Sequence, residues 1–234
     1  MLPEQAIRHY CGEEGHRYHN EKRGLPDAAF PWVSRLRAEK FAPHVNAADI
    51  ALEYGVGAGW NLASLRCQRK IGYDVSDFLA SGLRDRGIEF VIDTTPLPDA
   101  SIDVVICHHT LEHLISPAGA LNEMRRLLRP AGKLLLFTPF EYEPRYERFD
   151  RAEPNHHLYS WNAQTLGNLL EECGFEAVEV GTGRFGYSRF AAVWAARLGL
   201  GERGFRAIRR LVHLVRPGLE VRVVARKPAA LANV

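Results

Sequence analysis

The sequence predicts an α/β fold built on an open, doubly wound and mostly parallel sheet with helices on both faces. Three observations support this fold class. Short apolar runs alternate with helical segments between residues 49 and 182, a glycine-rich run follows the first apolar run, and an acidic residue marks the end of each of the first three runs. Strands that alternate with helices imply parallel pairing through right-handed crossovers.

Local signals place the individual elements. Strands are expected near residues 49–54, 69–74, 88–92, 102–107, 132–138 and 176–182. Helices are expected near residues 31–44, 60–67, 76–86, 117–128 and 163–173, and Gly174 stands where a helix C-cap favours glycine. Beyond these, residues 184–217 predict a helical insertion, and L-E-V-R-V-V-A-R has the period-2 pattern of an edge or hairpin strand.

The glycine-rich run reads A-L-E-Y-G-V-G-A-G and contains Gly55, Gly57 and Gly59. Glycine at a strand-to-helix turn lets a ligand approach the backbone, although such turns also occur as plain corners. The dinucleotide pattern G-x-G-x-x-G is broken, because Trp60 or Leu62 stands where its third glycine belongs. No phosphate-binding G-x-x-x-x-G-K-[ST] run occurs either. The loop therefore suits a nucleoside without a pyrophosphate better than NAD or ATP.

The three acids at the strand ends are Glu53, Asp74 and Asp93. Asp74 follows the glycine loop by about twenty residues, which is the spacing at which an acid meets ribose hydroxyls. The carboxyl ends of parallel strands converge on one edge of the sheet, where open α/β sheets bind ligands. Each acid alone could be a solvated carboxylate, but three in register with the glycine loop indicate a nucleoside site.

These motifs together resemble the class I S-adenosylmethionine-dependent methyltransferases of the small, single-domain kind called type 11. The resemblance runs over about residues 48–182 and rests on A-L-E-Y-G-V-G-A-G, G-Y-D-V-S, L-P-D-A-S-I-D-V-V-I-C-H-H-T-L-E-H-L, A-L-N-E-M-R-R-L-L-R-P-A-G-K-L-L-L-F-T-P and L-G-N-L-L-E-E-C-G-F-E-A-V-E-V. It implies a Rossmann-like sheet whose last strand is antiparallel and lies beside the fifth. It also implies S-adenosyl-L-methionine as cofactor and methyl transfer by in-line displacement.

The resemblance places the cofactor contacts at the carboxyl ends of the strands. Glu53 would hold the methionyl amino group, Asp74 the ribose hydroxyls and Asp93 the adenine amine. The other implied contacts are the three glycines, residues that follow the second and third acids, and a histidine after the fourth strand, namely Gly55, Gly57, Gly59, Val75, Thr94 and His109.

Methyl transfer from a sulfonium depends more on positioning than on acid–base groups, because the cofactor is already activated. A base is needed only for a hydroxyl, a phenol or an acidic carbon, and histidine suits that role near neutral pH. The candidates for catalysis are His109, His156 and His157. An acceptor wall is expected from the N-terminal segment and the loop after the fifth strand, with Tyr18, His19, Phe140, Tyr142 and Tyr159; ordinary loop packing is the alternative.

Two zones follow from this interpretation: an N-terminal helical lid at residues 1–48, and a core at residues 49–234 that includes the helical insertion. The N-terminal His9, Cys11, His16 and His19 are zinc-ligand types. Their spacing matches no standard zinc pattern, so no metal site is predicted.

The acceptor is expected to be a small or lipid-like molecule, and a cofactor-binding module without catalysis, or a partner subunit, is the alternative. A net charge of +2 makes nucleic acid an unlikely partner. Residues 203–216 read as a basic amphipathic helix, which either packs on the core or contacts an anionic membrane. Scattered cysteines, a polar N-terminus and the lack of a membrane-length apolar run favour a soluble, cytoplasmic protein. The acceptor atom and the oligomeric state are left open.

Overall fold

The computed structural model describes residues 9–17, 19, 24–141, 148–150, 155–216 and 218–229. Seven strands occur in this part of the chain: β1 (Ile50–Tyr54), β2 (Arg69–Tyr73), β3 (Glu89–Val91), β4 (Ile102–His108), β5 (Leu128–Pro139), β6 (Glu176–Phe185) and β7 (Gly218–Arg226). The α-helices of the same ranges are α1 (Gly12–Arg17), α2 (Phe30–Phe41), α3 (Ala80–Arg84), α4 (Pro117–Leu127), α5 (Ala163–Glu172), α6 (Ser188–Arg197) and α7 (Gly201–Val215).

The strands form one sheet in the order β3-β2-β1-β4-β5-β7-β6. The first five strands pair in parallel, and β7 runs antiparallel between β5 and β6. The predicted fold class is confirmed, including the position of the last strand beside the fifth. The strand order reverses between β1 and β4, which is the switch point where open α/β sheets form a crevice.

Helices cover both faces of the sheet, and the alternation along β5 shows how. Leu134 and Leu136 belong to the core cluster under α4 and α5, whereas Leu135 and Phe137 belong to the cluster on the opposite face. On that opposite face Phe41 of α2 is fully buried. The N-terminal helix α2 is thus part of the core packing as well as a neighbour of the crevice.

The helical insertion packs on the N-terminal segment. Ala29 and Val33 are fully buried against Ala191, Ala195 and Phe205, in a small cluster of their own. Small side chains on α6 allow this close contact, and the larger Phe205 of α7 fills the centre. The insertion therefore holds α2 in place from the outside.

The predicted end of α5 is confirmed in detail. Gly174 has a φ of +77°, its N–H donates to the carbonyl of Glu171, and the N–H of Phe175 donates to the carbonyl of Leu170. This is the Schellman arrangement, which needs a left-handed residue at that position and favours glycine. The chain is thereby turned directly into β6.

The predicted helix over residues 60–67 is wrong, because this segment forms only turns, at residues 60–64. One helical hydrogen bond remains, from the N–H of Ala63 to the carbonyl of Gly59. The next backbone N–H, that of Ser64, does not continue the helical pattern, because it donates to the hydroxyl of Ser34 on α2. Asn61 turns its side chain toward Glu53. Tertiary partners have replaced the helical ladder that the apolar spacing predicted.

The face of helix α7 that packs on the protein is not the face that the sequence pattern predicts. The helical spacing of Phe205, Leu211 and Val215 predicts one apolar face, but only Phe205 of these is buried, together with His213, whereas Leu211 and Val215 are exposed. Arg206 is bound in ion pairs with Glu39 and Glu202. In the described ranges of the chain, no helix combines the length and apolar character that crossing a bilayer requires.

Candidate functional site

A cleft opens at the carboxyl ends of β1, β2 and β4. The space within the cleft, together with the solvent at its open mouth, amounts to about 1030 Å³. Its lining comes from the glycine loop, the ends of these strands, helix α2 and the N-terminal segment, and includes Tyr10, His19, Arg37, Glu53, Gly55, Gly57, Trp60, Asn61, Asp74, Val75, His108, His109, Thr110 and His113.

The glycine loop and the second acid hold each other in place. The N–H of Gly57 donates to Asp74 Oδ2 at 2.8 Å, and the N–H of Ser76 donates to Oδ1 at 3.0 Å. Gly57 has a φ of +50°, and a Cβ on it would point into the cleft, with His19 Cε1 the nearest atom at 3.7 Å. The loop therefore needs glycine here both for its backbone conformation and for ligand access.

Glu53 is a buried carboxylate at the floor of the cleft, with only 1% of its surface exposed. Its Oε1 accepts from the amide of Asn61, whereas its Oε2 is without a hydrogen-bond partner among the described residues. Burial raises the pKa of Glu53 to about 8, although the Asn61 hydrogen bond and the nearby Arg37 charge oppose the rise. A buried carboxylate oxygen without a partner is costly, so a donor that reaches Oε2 would favour the ionised form of Glu53.

Arg37 of α2 faces Glu53 across Asn61. Its Nη1 donates to Asn61 Oδ1 at 3.2 Å, and its guanidinium lies 5.1 Å from the ring centre of Trp60. The cleft thus has an acidic and a basic group near the same end. Arg37 is not predicted from the sequence, because a single arginine on a predicted helix gives no signal of the direction in which it points.

A buried charged cluster forms the wall of the cleft beside β4. Glu220 of β7 is fully buried and lies 2.7 Å from Lys40 Nζ and 3.3 Å from His109 Nε2. His108 stacks on His109, with 4.4 Å between ring centres, and its Nε2 lies 3.0 Å from Lys40 Nζ. Burial alone would raise the pKa of Glu220, but the His109 hydrogen bond and the Lys40 charge outweigh it and bring the pKa to about 2. Burial lowers the pKa of Lys40 to about 7 in spite of Glu220.

The N-terminal segment crosses the mouth of the cleft. Cys11 Sγ donates to the carbonyl of Val75 at 3.0 Å, and the carbonyl of Tyr10 accepts from the hydroxyl of Ser76 at 2.6 Å. On the other side the Tyr10 hydroxyl lies 2.7 Å from His113 Nδ1. His19 is the other described lining residue of this segment, and Tyr18 lies outside the described residues.

Three residues predicted to touch the cofactor lie outside the cleft lining. Gly59 has a φ of +77°, and a Cβ there would collide with Leu83 and Ile88, so its glycine serves packing. Asp93 is exposed and accepts from the N–H of Thr95 at 3.0 Å. Thr94 donates its hydroxyl to Glu123 at 2.7 Å.

The residues predicted for the acceptor side lie in two loops next to the cleft. The backbone N–H groups of Leu158 and Tyr159 both donate to the carbonyl of Glu112, at 2.8 and 3.2 Å, which ties the second loop to the end of β4. His157 Nδ1 lies 2.5 Å from Glu141, and the His156 ring packs at a tilt against His9 with 3.9 Å between ring centres. The hydroxyl of Tyr159 donates to the carbonyl of Ile115. Phe140 packs against the core, and Tyr142 lies outside the described residues.

Sequence comparison with known proteins finds a matching family. The family model described as a methyltransferase domain matches residues 22–180. A probable S-adenosylmethionine-dependent methyltransferase of Mycolicibacterium smegmatis is 35% identical over 180 residues, covering 65% of this chain and 70% of the relative. A probable S-adenosylmethionine-dependent methyltransferase of Mycobacterium tuberculosis is 31% identical over 165 residues, and the match spans 66% of this chain but only 60% of that relative's length.

Structural comparison agrees at the level of the fold. The 1,6-didemethyltoxoflavin-N1-methyltransferase of Burkholderia thailandensis, solved with 1,6-didemethyltoxoflavin and S-adenosylhomocysteine, has a TM-score of 0.63 at 19% identity, covering 96% of this chain and 88% of that one. At this identity the likeness concerns the architecture and not the acceptor.

Proposed function

Because the chain belongs to the S-adenosylmethionine-dependent methyltransferases, we propose that it transfers the methyl group of S-adenosyl-L-methionine to a small-molecule acceptor. The family, the enzyme class and the cofactor that the sequence predicted are confirmed by the matches. The acceptor and the roles of individual residues are our proposal.

The proposal rests on Glu53 and Arg37, which face each other across Asn61 in the cleft. The methionyl end of the cofactor is a zwitterion, so it offers an ammonium and a carboxylate at one place. The unpartnered Oε2 of Glu53 is suited to the ammonium, and the guanidinium of Arg37 to the carboxylate. Ligand binding would then satisfy a buried oxygen that the chain alone leaves without a partner.

The ribose and adenine follow along the edge of the sheet toward β3. Asp74 would accept from the ribose hydroxyls, Val75 would pack on the adenine, and the backbone at Gly55 and Gly57 would approach the sugar. Asp93 remains our candidate for the adenine amine, because its carboxylate is exposed at the end of the neighbouring strand. Thr94 and Gly59 would act indirectly, through the packing described above.

The acceptor would enter between the loops after β4 and β5. We place His109 nearest to the reaction, because it lines the cleft and Glu220 holds its Nε2. A neutral His109 that donates from Nε2 carries its lone pair on Nδ1, as a general base requires. His156 and His157, with Phe140, Tyr159 and the lid residue His19, would enclose the acceptor.

A module that binds the cofactor without catalysis is the alternative. The position of His109 favours catalysis over this alternative, because His109 lines the cleft and Glu220 holds its Nε2. Contact of α7 with an anionic membrane is a separate proposal, supported by Leu214 and Val215, which are 67% and 88% exposed on the same helix as several arginines.

Calorimetry with S-adenosylhomocysteine and with NAD tests the cofactor assignment. We expect the first to bind and the second not to bind. Asp74→Ala should weaken the binding free energy of S-adenosylhomocysteine by about 1–3 kcal/mol, because a charge-assisted hydrogen bond is lost. Asp77→Ala, an exposed acid three residues away, is the matched control and should bind as the parent does. NAD binding, or equal affinity in both variants, would overturn the assignment.

An acceptor screen that reads S-adenosylhomocysteine release tests catalysis. For a hydroxyl acceptor, His109→Ala should lower turnover by roughly 10²–10⁴-fold and leave cofactor affinity nearly unchanged. For an amine or thiol acceptor the loss should be much smaller. Cofactor affinity that falls together with turnover would show that His109 serves the donor and not the acceptor.

A further inference from the structure

A second polar cluster lies beside the cleft, in the loops after β4 and β5. One ring nitrogen each of His113 and His157 and a carboxylate oxygen of Glu112 all lie within 4.8 Å of one another. Glu112 is buried, and the two histidine side chains are only 8% and 12% exposed. We propose that these three residues bind a divalent transition metal at the acceptor side of the cleft.

The outer partners of the histidines support the proposal. The Tyr10 hydroxyl meets His113 at Nδ1, and Glu141 meets His157 at Nδ1, so each ring is held from behind. Histidines that bind metals commonly have a carboxylate, carbonyl or other polar partner on their second nitrogen, which fixes ring orientation and raises ligand basicity. The Nε2 atom of His113 faces the carboxylate, at 3.9 Å from Glu112 Oε1.

The backbone explains how residues far apart in the chain share this site. The two hydrogen bonds to the carbonyl of Glu112 fix the loop that follows His157 against the loop that carries His113. The rings of the two histidines consequently lie 4.7 Å apart in an edge-on arrangement. A cation would draw the three donors together without rebuilding either loop.

The other histidine and carboxylate group of the described chain serves as an internal comparison. His108, His109 and Glu220 also lie within 4.8 Å of one another, but Lys40 Nζ sits 2.7 Å from Glu220 Oε1. The Lys40 side chain already occupies the place beside the carboxylate that a cation would take. The cluster of Glu112, His113 and His157 is therefore the better candidate for a metal.

Two imidazoles and one carboxylate favour zinc, manganese, iron(II) or cobalt over magnesium and calcium, which prefer oxygen ligands. This inference rests on the proposed function, because it assigns a hydroxyl-bearing acceptor to the same cleft. His113 lines the cleft, so a cation there would lie where an acceptor hydroxyl can reach it. The bound cation would lower the pKa of the acceptor hydroxyl. The hydroxyl proton would pass to His109 or solvent, the oxygen would bond to the methyl carbon, and the carbon–sulfur bond would break with its electron pair on sulfur.

The test is titration of the chelator-treated full chain with Co²⁺ and Zn²⁺ alone, read by visible absorption for cobalt and by calorimetry for zinc. We expect one equivalent to bind. His157→Ala should abolish binding, and Glu141→Gln should weaken it by about 10–100-fold, the usual effect of losing an outer partner. His44→Ala, outside the cluster, is the matched control and should bind metal as the parent does.

S-adenosylhomocysteine calorimetry on the same samples separates the two proposals. We expect cofactor affinity to be equal in the parent chain, His157→Ala and His44→Ala, which also shows that the variants are folded. Absence of metal binding in the parent chain, or metal binding that persists in His157→Ala, would overturn the metal site while leaving the proposed function intact. Binding lost only in His108→Ala would overturn it as well, by moving the metal to the other cluster.

Discussion

Glu53 should be protonated at neutral pH when no ligand is bound. Its pKa lies near 8 in the folded chain, compared with an ordinary value of 4.5, because the carboxyl is buried. Since one pKa unit corresponds to 1.36 kcal/mol, ionising this buried group costs up to about 5 kcal/mol relative to ionising it in water. The chain without ligand should therefore carry a protonated Glu53 at neutral pH, and binding of an ammonium should expel that proton.

The magnitude follows from the same linkage. Below about pH 8, S-adenosylhomocysteine must displace a proton from Glu53, so its affinity should rise with pH by up to about tenfold per unit. Between pH 6 and pH 8 the affinity for S-adenosylhomocysteine should therefore rise by at most roughly 100-fold. Above pH 8 the dependence should level off. Glu53→Gln should remove this dependence and weaken binding at pH 8 by about 1.5–3 kcal/mol, the worth of a hydrogen bond to a charged group.

Calorimetry in two buffers with different heats of ionisation gives the readout. At pH 6.5 close to one proton should be released for each S-adenosylhomocysteine bound, and close to none in Glu53→Gln. Glu89→Gln, an exposed acid on β3, is the control and should follow the parent chain. A pH-independent affinity in the parent chain, or a slope that survives in Glu53→Gln, would refute the reasoning.

Stability gives an independent check on Glu53. Because its folded-state pKa is raised, its favourable contribution is fully present below about pH 4.5 and is lost as pH rises through 8. Without ligand, Glu53→Gln should therefore be more stable than the parent chain at pH 9, although it binds the cofactor less well. Lower stability of the variant at pH 9 would show that Glu53 supports the fold in its ionised form.

Three further predictions concern the loop, the buried cluster and α7. Gly57→Ala and Gly87→Ala both strain a left-handed residue by about 1–2 kcal/mol, but only the first adds a Cβ inside the cleft, so only the first should also lose S-adenosylhomocysteine affinity in calorimetry. Glu220→Gln should lower the free energy of unfolding at pH 7 by about 3–5 kcal/mol in urea titrations, whereas exposed Glu179→Gln should change it by less than about 0.5 kcal/mol. Since the pKa of Glu220 is lowered to about 2, its contribution is present above pH 4.5, and the loss should shrink as pH falls toward 2. Flotation with anionic and neutral vesicles tests residues 203–216; lack of salt-sensitive binding would leave α7 with a packing role only.

The fold could be predicted because its signals are local and repeated. Alternating apolar runs indicated the sheet, and Gly174 marked the end of α5. The helix expected at residues 60–67 is absent for the opposite reason: the apolar spacing suits a helix, but the hydroxyl of Ser34, thirty residues earlier, accepts the hydrogen bond from the N–H of Ser64. Periodicity cannot reveal such partners.

The same contrast holds for the candidate site. The glycine loop and Asp74 could be placed by spacing, since they follow the first two strands at known intervals. Arg37, Lys40 and Glu220 could not, because each is an ordinary charged residue until the fold buries it. Only the antiparallel insertion of β7 brings Glu220 to the wall of the cleft.

The ion pair between Lys40 and Glu220 joins positions 180 residues apart in the chain. At a synthesis rate of 5–20 residues per second, Lys40 leaves the ribosome about 10–40 s before its partner. During that interval the carboxylate partner is missing, so the apolar face around α2 can collapse only if Lys40 stays in solvent or is buried as the neutral amine. The cleft should consequently form in one late step, when β7 inserts between β5 and β6. A nascent chain arrested before β7 should be protease-sensitive at α2 and should not bind S-adenosylhomocysteine.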